Sequence, residues 1–439
     1  MKKNTSKLID NLNNPDVSVR LDSLKMLWNS IEEGKIDRPI KGQDVNNHIH
    51  TTYSFSPYSP TKAIWMAYNA GLTTAGIMDH DSIAGAKEFI EAGRILGIAT
   101  TIGVECRVDF SNTALKGRRI NNPDQRSNVY MAIHGIPHTK IDEVREFFKP
   151  ITKERNIRNM KMVDSINKLL SPYNIAISFE QDVVPLSNLA EGGSITERHI
   201  LFALAEKVIE KYGRGEKLLN FFTDELKLSI ESRIGKYLSD IDNPHYTYDL
   251  LGLLKSDLIE HIYIDATDEC PDVNDVIKFA KDIGAISAYA YLGDVGESVT
   301  GDKKAQKFED DYLELLFETL KELEFNAVTY MPSRNTKEQL LRVKSLCERH
   351  ELLEISGEDI NSPRQSFICK ALREPEFHNL IESTWALIAH EIMATDDIEK
   401  GLFSQETVKE FPNMNDRVNR YSQIGKNIMK KQEENYSNI

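Results

Sequence analysis

Apolar residues near the start of the chain recur at helical spacing. Val17, Val19, Leu21, Leu24, Met26, Leu27 and Ile31 can line one face, which predicts a helical prefix packing on the main body. After Gly42 the rhythm changes to short apolar runs separated by helical ones. Strands are predicted at 45–50, 74–79, 98–105, 129–134, 286–291, 326–330 and 352–356, with helices at 60–70, 82–96 and 336–350. Strand, helix, strand in succession predicts a mainly parallel sheet with helices outside it. The stretch 200–260 interrupts this rhythm with charged helical sequence and reads as an inserted helical subdomain. Beyond Phe367 the chain is helical again, and its last stretch, NIMKKQEENYSNI, is expected to fray. The resulting plan is a helical extension over 1–43, a main domain over 44–370 carrying the insertion, and a helical extension over 371–439.

Composition narrows the class. Hydrophobic residues make up 40% and charged residues 28%, enough apolar material for a large core. Lys plus Arg number 54 against 68 Asp plus Glu, a net charge of −14 that argues against a nucleic-acid coat or a membrane-surface binder. No apolar run is long enough to span a bilayer, and the basic start has no apolar stretch behind it. Cys106, Cys270, Cys347 and Cys369 are widely spaced, so neither a disulfide framework nor a thiolate zinc site has support. A cytoplasmic setting is expected.

Chemistry concentrates at the ends of the predicted strands. Of 11 histidines, three fall between positions 48 and 80. His48 and His50 form a His-x-His pair, which on a strand points both imidazoles to one side. Such a pair alone is as readily two histidines satisfied within the fold. The next strand ends in Asp79-His80-Asp81-Ser82, where Asp81 or Ser82 would cap a helix and His80 is left idle. The strand after it ends at Glu105, a carboxylate able to bridge two cations or to serve as a surface partner of Arg107. His134, His199 and Asp359 each follow an apolar run or open a helix. Singly they are ordinary; recurring at strand after strand they point to one shared site.

In order, HIHTTYSFSPYSP, IMDHDS, IGVECRV, YMAIHGIP, TERHILFAL and ISGEDIN resemble the PHP (polymerase and histidinol phosphatase) family of metal-dependent phosphoesterases, over about residues 44–370 without the insertion. The resemblance implies a distorted seven-stranded TIM-like α/β barrel with metals at the carboxyl ends of its strands. It assigns one ion to His48, His50, Glu105 and Asp359, and a second to Glu105, His134 and His199. Zinc, manganese and iron all suit mixed imidazole and carboxylate ligands. Phe55 and Asn361 stand where the family usually has ligands that join the His80 position around a third metal, which implies a two-metal site. Tyr291 stands where relatives commonly have the histidine of Ala-His-Pro.

Two metals and an activated water imply hydrolysis of phosphate esters. His80 and Asp79 are then the catalytic candidates, with His80 free to act as a general acid or to bind phosphate. Arg364, Arg198, Arg334, Tyr291 and Asn361 are the substrate-binding candidates, Arg364 foremost. The expected substrate is a small phosphorylated metabolite or nucleotide, with no long nucleic acid and no membrane as partner. A C–N hydrolase on the same metals, or a non-catalytic metal-stabilised module, are the alternatives. No phosphate loop, dinucleotide turn or nucleophile elbow occurs.

Overall fold

The computed structural model describes residues 2–122, 124–294 and 307–437. Its centre is a curled six-stranded sheet in the order β1 (Thr74–His80), β2 (Ala99–Asp109), β3 (Asn128–His134), β4 (Ile286–Tyr291), β5 (Ala327–Tyr330) and β6 (Leu353–Ser356). Pairing is parallel except at β3, which runs antiparallel to both β2 and β4. The sheet is thus mainly parallel as expected, with one reversed strand inside it.

Among the described residues six strands form where seven were expected. The run at 45–50 has no ladder of its own; Ile49 makes single bridges to Ile77 of β1 on one side and to Ile360, just past β6, on the other. Ile49 N–H donates to Gly76 O at 2.9 Å and His50 N–H to Ile360 O at 3.0 Å. The polar side chains of Asn46 and Asn47 account for the missing ladder. Asn46 Oδ1 accepts from the N–H of His48 and of Glu358, while Asn47 Nδ2 donates to Ser356 O and Thr384 Oγ1. Side-chain bonds stand where strand bonds would have been. Glycines admit the run: a Cβ on Gly76 would meet Asn47 Cα at 2.8 Å, and one on Gly357 would meet His48 N at 2.7 Å.

Alternation along the strands divides the core in two. Ile77, Val104, Val108, Met131 and Val328 face outward onto helices such as Pro60–Asn69 and Ala86–Leu96. Met78, Ala132, Ala288, Ala327, Leu353 and Ile355 face inward, where Ala386, Leu387 and Ala389 of the helix His378–Asp396 cover them. The C-terminal stretch therefore completes the inner core. Its final helix runs to Ser437, so much of the stretch expected to fray is helical; residues 438–439 lie outside those described. The prefix forms two helices, Lys2–Asn11 and Val17–Glu32. No helix among the described residues is long and apolar enough to cross a membrane.

The helical interruption has its own apolar cluster, with members from Met162 to Ile262 and Phe55 from the body. It opens on the 30-residue helix Ile141–Leu170, well before position 200. A buried ionic network joins this unit to the sheet. Arg107 of β2 pairs with Glu197 at 3.1 Å and with Glu269; Arg155 pairs with Glu197 at 3.1 Å and with Asp81; Arg158 pairs with Glu269 at 2.7 Å and with Glu197. Three guanidinium groups thus meet three carboxylates, and that balance is what makes their burial affordable, since an uncompensated buried charge costs about 3–5 kcal/mol.

The end of β4 wraps around Glu309, which has no exposed surface. Its carboxyl accepts from Leu292 N–H at 2.7 Å, from Gly293 N–H at 2.8 Å and from the Tyr289 hydroxyl. Burial pushes it up from 4.5 to about 7, against the pull of those donors. A folded value above the unfolded one means its contribution to stability is complete below about pH 4.5 and is lost as pH rises through about 7. Glu309→Gln removes this dependence. Between about pH 4.5 and 8 the unfolding free energy of the variant should gain about 3 kcal/mol on the wild type. Urea titrations at the two pH values read this out, and a constant difference between the proteins counts against it.

Candidate metal centre

Register alone brings the first ligands together. β1 and β2 are parallel with His80 opposite Glu105, so the two side chains stand next to each other on the inner face. Glu105 is also opposite Ala132 of β3, which makes His134, two residues on, its diagonal neighbour on the same face. Because β3 is reversed, His134 is not at the carboxyl-end rim with the others; it comes to Glu105 from deeper in the sheet. His48 and His50 flank Ile49, and Asp359 adjoins Ile360, so the bridges at Ile49 set these three beside one another.

The donor atoms converge. His80 Nδ1 lies 3.1 Å from Glu105 Oε2, His48 Nε2 3.6 Å and His50 Nε2 3.9 Å from the same oxygen, and His50 Nε2 lies 3.2 Å from Asp359 Oδ1. Two triads result, His48 with His50 and Asp359, and His50 with His80 and Glu105, each with its ligand atoms within 4.8 Å of one another. Imidazole and carboxylate donors in this number suit a divalent transition metal. A further sign is His134, whose buried Nε2 has no hydrogen-bond partner. His134 joins neither triad, but a cation bound beside it would give this orphaned nitrogen a partner.

Charge in the cluster follows from packing. Burial would raise Glu105, but His80, His48 and His50 outweigh it and hold the carboxyl at about 2. Asp359 is likewise held far below the carboxylate range, chiefly by His50 against burial. Burial lowers His48, yet the charges of Glu105 and Asp359 win and raise it. Burial drives His80 well below its ordinary value and His134 down to about 3. Both are neutral imidazoles near pH 7, fit to offer a lone pair to a metal.

His80, expected to be freed as a general acid, lies in the donor cluster with His50 and Glu105. Asp79 is buried behind His50 and bonded to Thr51 and Ser54, with no place in the cleft. His199 joins neither triad: its Nδ1 accepts from Thr196 N–H at 3.0 Å as part of a capping box at the start of the helix Glu197–Tyr212. Burial lowers it to about 3. Phe55 sits edge-on to that ring, 5.0 Å away, and packs on Phe202 and Tyr248. Arg364 turns away to fork onto Asp249 at 2.7 and 2.8 Å, over the ring of Tyr237. Its loop is thereby clasped to the helical unit, and the guanidinium is spent.

The remaining candidates do line a cleft over the metal ligands: Arg198, Arg334, Tyr291 and Asn361, beside His48, His80, Glu105 and Asp359. Asn361 donates to Asp359 Oδ1 at 2.6 Å, and the Tyr291 hydroxyl donates to Asp310 Oδ1 at 2.6 Å. Arg155, Lys255, Tyr130 and Tyr263 also line it and were not foreseen. Arg155 carries a sequence signal: with Arg158 it interrupts the buried stripe of Phe148, Ile151, Met162 and Ile166 on its helix. A charge on an apolar stripe marks a buried ionic role.

Residues 46–328 match the family model of the PHP domain. Over 68 residues, 16% of its length, the chain is 34% identical to a 5'-3' exoribonuclease of Haemophilus influenzae, and the match spans 25% of that protein. It is similar to a solved structure from Bifidobacterium adolescentis assigned as a metal-dependent phosphoesterase, with TM-score 0.49 and 19% identity, covering 76% of this chain and 95% of that one. It is also similar to an amidohydrolase of Chromobacterium violaceum solved with sulfate and without metal, with TM-score 0.48 and 17% identity, covering 74% and 90%.

Glu105→Gln keeps the size of the side chain and removes the charge on which three imidazoles converge. Zinc affinity, followed by chelator competition, should fall at least tenfold with the thermal melt of the metal-free protein little changed. Unaltered affinity would remove Glu105 from the centre.

Proposed function

The chain belongs to the PHP domain family, and from that premise we propose that it is a metal-dependent hydrolase of phosphate esters. The observation that carries the reading is the convergence of His48, His50, His80, Glu105 and Asp359 at the floor of a cleft, with the orphaned nitrogen of His134 beside them. Two divalent ions, zinc, manganese or iron, suit this donor set. His50 lies in both triads but has only Nε2 to give, because Nδ1 faces Ser54 at 3.3 Å. It would therefore serve one ion with His48 and Asp359, and His80, Glu105 and His134 would be left to hold the other, with His80 in the place that the resemblance gave to His199.

Divalent ions bound there supply Lewis acidity toward a phosphoryl oxygen and make water acidic enough to attack it. The protein's part is to prepare the donors and to select an anion. Glu105 and Asp359 are ionised and His80 and His134 neutral near pH 7, so a metal competes with protons chiefly at His48, which its carboxylate neighbours raise. Arg198, Arg334 and Lys255 line the cleft walls, and guanidinium and ammonium groups there suit the anion of a phosphate ester better than a neutral amide. Tyr130, Tyr263 and Tyr330 line the remainder and offer ring surfaces to the rest of a small phosphorylated metabolite or nucleotide. The net charge of −14 disfavours a long polynucleotide.

Metal-loaded protein is expected to release inorganic phosphate from members of a monoester panel that includes p-nitrophenyl phosphate and nucleoside monophosphates. Chelation should stop the release, and Glu105→Gln should slow it by about a hundredfold or more. Cleavage of amides or amidines with no phosphate released from any ester would replace this reading with a C–N hydrolase.

A further inference from the structure

Asp79 precedes His80 in sequence but faces away from the cleft, and it gathers three donors. Thr51 N–H reaches Oδ1 at 2.7 Å, the Thr51 hydroxyl reaches Oδ2 at 2.6 Å, and the Ser54 hydroxyl reaches Oδ1 at 2.6 Å. A carboxylate only accepts, so the Ser54 hydroxyl spends its single proton there. Ser54 Oγ is also 3.3 Å from His50 Nδ1. With its proton given to Asp79, that oxygen can only accept, and Nδ1 must be the nitrogen that carries hydrogen. The other nitrogen, Nε2, faces Asp359 Oδ1 at 3.2 Å and Glu105 Oε2 at 3.9 Å. A lone pair set against two carboxylate oxygens is repulsive unless a cation lies between them.

We propose that Ser54 and Asp79 are positioning residues that lock His50 in its Nδ1–H tautomer and so present the Nε2 lone pair to a divalent cation. The proposal rests on the metal-site reading above and adds to it the device that decides which nitrogen of His50 meets the ion. All its parts are buried: Ser54 has no exposed surface, and Asp79 and His50 have 1% each. Water therefore does not compete for the relay, and the tautomer is set by protein groups alone. Thr51, spending both its donors on Asp79, keeps that carboxylate turned toward Ser54.

The lock is read by long-range proton–nitrogen correlation spectra of the imidazoles in nitrogen-15-labelled full-length protein, with His50 assigned by difference against His50→Asn. In zinc-loaded wild type, His50 should show a protonated Nδ1 and an unprotonated Nε2. In Ser54→Ala, both tautomers should appear, and zinc affinity by chelator competition should fall about tenfold. Ser54→Cys, whose thiol is a weaker partner, should fall between the two. A wild-type His50 carrying its proton on Nε2 overturns the lock without recourse to any variant, as does a Ser54→Ala protein with the wild-type tautomer and zinc affinity. Wild type with the expected tautomer and tight zinc, but with no phosphate released from any ester, supports the lock and overturns the phosphoesterase reading instead.

Discussion

The pairing of Ile49 with both edges of the sheet is the constraint on which the site depends. Ile77 and Ile360 belong to segments far apart in the chain, and a single residue touches both. Whatever flanks Ile49 must lie beside whatever ends β1 and follows β6. His48 and His50 are therefore delivered to Asp359 on one hand and to the His80 and Glu105 pair on the other. The glycines at 76 and 357 and the asparagines at 46 and 47 serve the same junction, some by leaving space and some by replacing backbone bonds. Metal chemistry at this place is a by-product of how the sheet's edges are joined.

The helical unit over the cleft is tied down by charge at one end and by a clasp at the other. At its base Arg155 and Arg158 reach into the body, where Asp81, Glu197 and Glu269 neutralise them together with Arg107. Asp81 takes a left-handed backbone turn, φ 50°, directly after His80, which frees its carboxylate to meet Arg155 instead of capping the next helix. At the tip Arg364 holds Asp249. Between these attachments Lys255 and Tyr263 are presented to the cleft. Where this cover excludes water, the lower local dielectric strengthens the charge interactions beneath it.

Much of this was legible in the sequence, because strand ends that carry His or carboxylate are local signals. β1, β2 and β4 fall close to where periodicity puts them, and the donors at 48, 50, 105 and 359 converge as expected. What was not legible depends on contacts between distant residues. The reversal of β3 leaves no mark on its own alternation, so His134 was placed at the rim. His199 was read as a ligand because its use as a helix cap shows only when Thr196 N–H is seen to point at its ring. Arg364 was assigned to substrate because its partner, Asp249, belongs to a helix more than a hundred positions earlier. The helix Ile141–Leu170 was absent from the reading altogether, its stripe broken by the arginines that matter most.

The covering of the inner face by the helix His378–Asp396 governs how the protein comes off the ribosome. Met78, Ala132 and Ala288 are synthesised long before the helix that shields them, and Asp359 also emerges late. Asn46 waits 312 positions for Glu358. A nascent chain therefore keeps an uncovered apolar face and an incomplete set of donors until Asp359 and the helix His378–Asp396 have followed the strands.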